Sequence, residues 1–196
     1  MAIATYKDLK DSVKDWINRT DSQTTNQIPN FINFAEKELH RNLRIPPFEG
    51  MALVTVQKGA FRVPTDLLEF RNLLIPKVGV IHQTSIDDLF NSKMSFCRLG
   101  GLGYVSDDIP DGTNITVTYY RDQRELKDDG DSNILLSVAP ELFLYTSLKH
   151  AAVYAQDEED IQKYTLLAQA AYQQVVKQNE QLEFSGSPIA IPAPVA

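Results

Sequence analysis

The sequence predicts an α+β fold: an antiparallel four-helix bundle with a small antiparallel β insertion and an extended C-terminal tail. Apolar residues recur at helical spacing near both ends of the chain. Between them the pattern changes to short β-branched runs separated by glycine and proline turns, and the last ten residues are apolar and interrupted by proline. We therefore expect residues 1–49 and 134–184 to form the bundle, 50–133 the β-rich insertion and 185–196 an extended C-terminal arm.

Composition limits the classes of function that fit the chain. Its 196 residues suffice for one sizeable domain carrying an insertion. The net charge of −7 argues against binding to a phosphate backbone, which requires a basic surface. No run approaches the roughly 20 apolar residues that cross a bilayer. We therefore expect no membrane partner and no signal peptide, and a location in the cytosol of the producing cell.

Two N-terminal helices are predicted from capping signals and apolar spacing. Thr5 and Asp8 form a capping-box pattern, and the first helix should end near Asn18. Pro29 suits the first turn of the second helix, because proline lacks the N–H that would be unpaired there. Pro46 and the proline after it should end that helix. The first helix has its apolar residues at Tyr6, Leu9, Val13, Trp16 and Ile17, and the second at Ile28, Phe31, Ile32, Ala35, Leu39 and Leu43.

The β-rich insertion begins at Gly50, where the apolar period changes. Residues 51–56 and 61–64 flank the turn pair Lys58-Gly59, which predicts a hairpin. Thr65-Asp66 resembles a helix cap, as does either Thr84 or Ser85, and a short helix is expected after each of these two places. The remaining strands are predicted at residues 73–75, 79–81, 94–99, 104–105 and 115–120, with a turn at 110–113 and a charged, exposed loop at 121–133.

Two further helices are predicted near the C-terminus. Pro140 should open the third helix, whose unusually wide apolar surface is expected for the central helix of a bundle. Asp157 can cap the fourth helix, with three acidic residues on the positive end of its dipole. That helix should end at Ser185-Gly186. The uncharged residues 187–196 then form a proline-punctuated segment that requires another surface to cover it.

The sequence does not support a phosphate-binding loop or a calcium-binding loop. The cluster from Gly100 to Gly103 lacks the lysine and hydroxyl residue of a phosphate loop, so a tight turn is predicted instead. The acidic stretches at 107–112 and 129–134 resemble calcium loops, but the first carries Ile109 at a ligand position and the second lacks the required glycine. Neither has a bidentate glutamate at the twelfth position. We therefore expect no cofactor and no metal ion.

Catalytic residues are also not indicated. His40, His82 and His150 are dispersed along the chain; His40 is expected at the surface and His150 half-buried in the bundle. The single Cys97 lies in a strand pattern and is expected to be a small buried residue rather than a nucleophile. No serine lies in a nucleophile-elbow motif. We therefore do not expect an enzyme.

Three stretches resemble the adaptor, or head-to-tail connector, proteins of tailed bacteriophages. They cover most of the chain in the expected order. The first comprises residues 5–9, 15–21, 28–36 and 39–44, including Thr5-Tyr6-Lys7-Asp8-Leu9 and Ile28-Pro29-Asn30-Phe31-Ile32. The second is Val63-Pro64-Thr65-Asp66-Leu67-Leu68-Glu69-Phe70-Arg71. The third runs from Tyr119-Tyr120-Arg121 through Asn133-Ile134-Leu135-Leu136, Ala139-Pro140-Glu141-Leu142 and the acidic run to Phe184-Ser185-Gly186-Ser187-Pro188. Residues 100–104 match poorly, and Ile134 stands where members of the family often have tryptophan.

The resemblance implies a structural virion protein in the neck between capsid and tail, present in the host cytoplasm during assembly. It implies a ring of about twelve copies that docks below the portal and carries the tail nozzle, tube or fibres. Genomic DNA would pass through its lumen without specific binding, which an acidic lining favours. The C-terminal arm would reach the portal. Its portal-binding residues would be Ile189, Ile191, Pro192 and Val195.

One alternative from another class remains open at the level of sequence: a stand-alone helical module that binds a protein or regulates one without catalysis. The uncovered apolar tail favours an assembly, and the acidic charge argues against a nucleic-acid target. A third alternative, a hydrolase using the scattered Asp and His residues, has no residues at diagnostic spacing.

Overall fold

The computed structural model describes residues 3–18, 21–122 and 125–184, with side chains up to residue 180. The chain divides into two compact units. The helical unit comprises Met1–Pro47 and Arg124–Ala196, and the sheet unit comprises Phe48–Gln123. The predicted arm, including Ile189, Ile191, Pro192 and Val195, lies outside the described residues.

The helical unit contains four long helices and two short ones among the described residues. These are α1 (Tyr6–Ile17), α2 (Ser22–Thr25), α3 (Ile28–Asn42), α4 (Ile134–Val138), α5 (Pro140–Ala155) and α6 (Glu158–Phe184). The capping box predicted at Thr5 is present: its hydroxyl accepts from the Asp8 amide, and the Asp8 carboxylate accepts from the Thr5 amide. Proline lies in the first turn of α3 and of α5, as predicted. The Asp157 carboxylate accepts from the Asp160 amide at 3.1 Å, the cap predicted for α6.

Helix α5 is the centre of the helical unit. Helices α1, α3, α4 and α6 all pack against it. Its buried residues fall on every side of the helix rather than on one stripe: Leu142, Phe143, Leu144, Thr146, Ser147, Leu148, Ala151 and Ala152. A helix that is apolar all round is a buried core helix. The two buried hydroxyls are satisfied within the helix, because Thr146 donates to the carbonyl of Leu142 and Ser147 to that of Phe143.

The sheet unit is one nearly closed, mixed sheet of seven strands in the order β1-β7-β3-β4-β5-β6-β2. The strands are β1 (Glu49–Thr55), β2 (Ala60–Arg62), β3 (Leu67–Ile75), β4 (Gly79–Gln83), β5 (Ser95–Leu99), β6 (Leu102–Val105) and β7 (Asn114–Arg121). All neighbouring pairs are antiparallel except β4 and β5, which are parallel. A short 3-10 helix, Pro46–Phe48, precedes β1.

A layer of large apolar side chains fills the inside of the sheet. Phe96 lies at its centre, with its ring 5.1 Å from that of Phe70 and 6.2 Å from that of Phe61. Phe61 in turn lies over Gly103, its partner across β2 and β6. A Cβ atom at Gly103 would come within 2.2 Å of the Phe61 ring, so only glycine fits there.

The predicted four-helix bundle with a small antiparallel β insertion is wrong. The sheet has seven strands, is mixed rather than antiparallel and is nearly closed, and the helices surround α5 instead of sharing one bundle core. The error began with the local cap signals. Asp66 does not cap a helix; its carboxylate accepts from the Tyr119 hydroxyl at 2.9 Å, and residues 67–75 continue as strand β3.

Two more local predictions are corrected. Ser85 bonds the amide of Asp88 as a cap would, but only turns follow it. The predicted hairpin around Lys58-Gly59 is limited to one pair, Gln57 with Ala60, after which β1 pairs with β7 and β2 with β6. For the hairpin strands, partners distant in sequence determined the structure.

Candidate interaction surfaces

The acidic residues that resembled calcium ligands have structural roles. Asp108 accepts hydrogen bonds from the Met94 amide and the Ser106 hydroxyl, and Asp111 accepts from the Gly59 amide. The carbonyls of Asp129 and Asp131 accept from the first amides of α1, at 3.1 and 2.8 Å. Within the described residues, no group of three or more His, Cys, Asp or Glu side chains could hold a metal ion.

The other residues singled out from the sequence are also accounted for. The glycine cluster forms the turn between β5 and β6, as predicted, and Cys97 is buried in β5. His150 is half-buried, as expected. His40 is only 7% exposed, so its prediction as a surface residue is wrong: it faces inward from the last turn of α3.

The loop before α4 is held by a buried carboxyl group. Glu36 of α3 is 1% exposed, and its Oε1 accepts a hydrogen bond from Nδ2 of Asn133 at 2.9 Å. Asn133 also caps α4 by accepting from the Leu136 amide at 3.0 Å. Leu126 of the same loop is buried, so residues 125–133 are not the fully exposed loop that their charge predicted.

Burial raises the pKa of Glu36 to about 7, although a backbone hydrogen bond from Leu126, the Lys37 charge and the Asn133 amide oppose this shift. The nearby carboxylate of Glu125 acts in the same direction as burial. Glu36 is therefore half-protonated near neutral pH, whereas an exposed glutamate is fully ionised there. The loop contact is consequently sensitive to pH.

Aromatic and charged pairs follow the contact between α3 and α5. The ring centroids of Phe31 and Tyr154 are 5.4 Å apart, and those of Phe34 and His150 are 5.9 Å apart. Glu38 then pairs with Lys149 and with Nε2 of His150, the latter at 2.9 Å. Successively later residues of α3 contact successively earlier residues of α5, so the two helices are antiparallel. Phe34 remains 56% exposed, which leaves an aromatic surface on this face.

The charges on this face have a defined state. Burial lowers the pKa of His150, although the Glu38 carboxylate acts against it, so the imidazole is neutral at pH 7. Burial acts to raise the pKa of Glu38, but the hydrogen bonds and charges of Lys149 and His150 outweigh it, and the pKa is lowered. The pair is therefore a lysine–carboxylate bridge beside a neutral histidine.

The outer face of the sheet carries a row of side chains that are apolar except for Thr116. The register places Leu53, Thr116, Leu74 and Val80 side by side on four neighbouring strands. Directly paired residues share one face of a sheet, so the row is continuous. Leu53 is 69% exposed, and Met51, two residues earlier on the same face, is 76% exposed. We call these five residues the outer row.

Sequence reasoning missed the outer row, although a signal was present. Residues 51–54 are apolar without alternation, and a strand with one solvated face should alternate. An exposed apolar patch on the surface of a protein commonly marks an interaction site. The run was interpreted only as part of a hairpin.

The edge strands β1 and β2 lie close together without closing the sheet. Leu53, Thr55, Arg62 and Leu102 are among the residues lining a groove of about 660 Å³ between them. We call this groove the seam.

Among the described helices, none is long and apolar enough to cross a membrane.

Comparison with known protein families gives a match that spans nearly the whole chain. The model of the SU10 adaptor protein family matches residues 4–192, which includes both units. No curated protein matches the chain. The matched region contains the capping box of α1, the whole sheet and the central helix α5. The chain therefore belongs to the SU10 adaptor protein family, a family of structural adaptor proteins of bacteriophages.

Proposed function

We propose that this protein is the subunit of a ring in the virion neck that joins the portal vertex of the capsid to the tail. The family match over residues 4–192 is the observation that carries this proposal. The ring would contain about twelve copies and would lie directly below the portal. The protein would be in the host cytoplasm until it assembles.

Each part of the chain has a role in this proposal. Residues 1–49 and 134–184 form the ring wall, residues 50–133 face the tail nozzle, tube or fibres, and residues 185–196 reach the portal. The arm contacts the portal through Ile189, Ile191, Pro192 and Val195, since an uncharged apolar segment is stable only when another surface covers it. The exposed outer row supports a further contact on the sheet unit.

The acidic charge supports a passive channel for DNA. The chain carries a net charge of −7, and a lumen lined by carboxylates repels phosphates. DNA can then slide through the ring without binding to it, because a chain with this net negative charge does not favour the release of counterions from the phosphates. The subunit thus requires no catalytic group for its role.

Mass measurement and negative-stain imaging of the purified protein, alone and mixed with the portal of the same phage, test the proposal. We expect a ring of about twelve copies, formed either alone or only on the portal. A stable monomer that does not respond to the portal would contradict the proposal, and would favour a stand-alone binding module.

A further inference from the structure

The seam results from a hairpin that opens after its first pair. Lys58 and Gly59 have φ values of 54° and 69°, which match the two central residues of a type I′ turn. Gln57 and Ala60 exchange two backbone hydrogen bonds of 2.7 and 3.2 Å. Among the described residues, β1 and β2 form no other pair with each other.

The backbone groups of β1 alternate between β7 and the seam. Val56 donates to the carbonyl of Thr113 and accepts from the amide of Gly112, both at 2.9 Å, so its backbone groups face β7. The direction alternates along an antiparallel strand. Met51, Leu53 and Thr55 therefore direct their N–H and C=O groups away from β7, and Leu53 and Thr55 line the seam.

The same argument applies to β2 on the other side. Gly59 accepts from the amide of Val105, and Val63 donates to the carbonyl of Gly101, both at 3.0 Å. By alternation, the backbone groups of Arg62, between them in sequence, face the seam. A continued hairpin would pair Arg62 with Thr55, but the strands diverge and leave the groove between them.

The lining of the seam combines apolar and cationic side chains. Leu53, Leu102 and Tyr104 provide apolar surface, and Lys58 and Arg62 provide two positive charges. The lining contains no carboxylate, although the whole chain has a net charge of −7. A second copy of this seam is disfavoured as the occupant, because pairing would bring four cations together.

We propose that the seam binds an extended, acidic segment of a partner protein, which adds to β1 as an eighth strand of the sheet. Backbone hydrogen bonds to Met51, Leu53 and Thr55 hold the segment. Its carboxylates meet Lys58 and Arg62, and its alternate apolar side chains contact Leu53 and Leu102. This inference rests on the proposed function only in naming the partner as the tail component next to the ring.

Peptide titration into the ¹⁵N-labelled full chain tests this inference. The probe is an acetylated seven-residue peptide in which glutamate alternates with valine. We expect saturable shifts of the amide signals of Met51, Leu53, Thr55 and Arg62. The same peptide with lysine in place of glutamate should bind at least tenfold more weakly. Absence of shifts at millimolar peptide, or equal binding of the two peptides, would overturn the proposal.

Backbone methylation of the peptide separates strand addition from side-chain contact. Two further peptides carry N-methyl groups on alternate residues. The first is methylated on the residues whose N–H groups point to one edge of the extended chain, and the second on those that point to the other edge. Methylation removes the N–H groups along one edge. At least one of the two peptides should bind tenfold more weakly than the parent. If both bind as the parent does, the segment is not added as a strand and the inference is wrong.

Protein variants test the cationic side of the seam. Arg62→Gln and Lys58→Gln should each weaken binding of the glutamate peptide several-fold and reduce its salt dependence. Lys77→Gln is the matched control, since Lys77 is an exposed cation in the turn between β3 and β4 and does not line the seam. Equal effects of all three variants would contradict the proposal. Ring assembly without peptide binding would overturn this inference alone, whereas peptide binding by a monomer inert to the portal would overturn the proposed function alone.

Discussion

The contribution of Glu36 to stability changes with pH in the opposite sense to that of most carboxylates. Its folded pKa of about 7 lies above the ordinary value of 4.5, so the folded state holds the proton more tightly than the unfolded chain does. Its stabilising contribution is fully present below pH 4.5 and is lost as the pH rises through 7. The shift corresponds to about 3 kcal/mol between these limits.

The substitution Glu36→Gln should therefore flatten the pH dependence of the free energy of unfolding. Glutamine keeps an oxygen that accepts from Asn133 but cannot ionise. Denaturant unfolding at pH 5.5 and pH 8 should show wild type losing on the order of 2 kcal/mol more than the variant over this range. Glu38→Gln is the control, because the pKa of Glu38 is lowered and its contribution is lost only in acid. Parallel curves for wild type and Glu36→Gln would contradict the assignment.

Gly103 provides a second test of a single residue. Gly103→Ala places a methyl group against the Phe61 ring, which is buried beside Phe96 and has little room to move. We expect a loss of about 1–3 kcal/mol, measured by denaturant unfolding. Gly101→Ala is the matched control two residues earlier, with no atom within 4 Å of its new methyl group, and should change stability by less than about 0.5 kcal/mol. Equal losses would show that the close approach is not what requires glycine.

At the scale of elements, the cap of α1 was predicted correctly because it depends on neighbouring residues alone. Thr5 and Asp8 bond each other's amides within one turn. Thr5→Ala should cost about 1 kcal/mol in denaturant unfolding, whereas Thr5→Ser keeps the accepting oxygen and should cost much less. A loss of equal size for both variants would show that the methyl group of Thr5, rather than its cap, stabilises the helix.

The strands show why local pattern was insufficient for the rest of the fold. Asp66 has the chemistry of a helix cap, but its partner is Tyr119, more than fifty residues later. Strand β1 has a hairpin turn beside it, yet pairs along its length with β7. His40 was placed at the surface by the polar residues next to it, although it is buried. For Asp66 and β1 the deciding contact is long-range, and a single sequence does not reveal it.

At the scale of the whole molecule, the arm should be required for assembly with the portal but not for folding. Deleting residues 187–196 should leave the unfolding free energy unchanged and weaken co-assembly with the portal, measured by co-sedimentation. Ile189, Ile191 and Val195 would each contribute on the order of 1.5–3 kcal/mol if fully buried there. Replacing these three residues with serine keeps the length of the arm and should have the same effect. Unchanged co-assembly of both variants would show that the arm does not bind the portal.

The exposed surfaces explain why assembly, rather than catalysis, fits this chain. The outer row, the seam and the aromatic face beside Phe34 all carry exposed apolar side chains, and the seam adds the cations Lys58 and Arg62. Asp108 and Asp111, which lie in a stretch that resembles a calcium loop, instead accept hydrogen bonds from backbone amides. The residues that form the outer row and the seam follow from the strand register, which a single sequence does not specify.

Reconstruction of the virion neck by electron microscopy tests the central claim most directly. We predict that density for this chain forms a closed ring between the portal and the tail, with carboxylates lining the lumen and the arm of each copy on the portal. A ring whose lumen is lined by lysine and arginine would contradict the passive channel. Density for this chain at any other position in the virion would contradict the connector role itself.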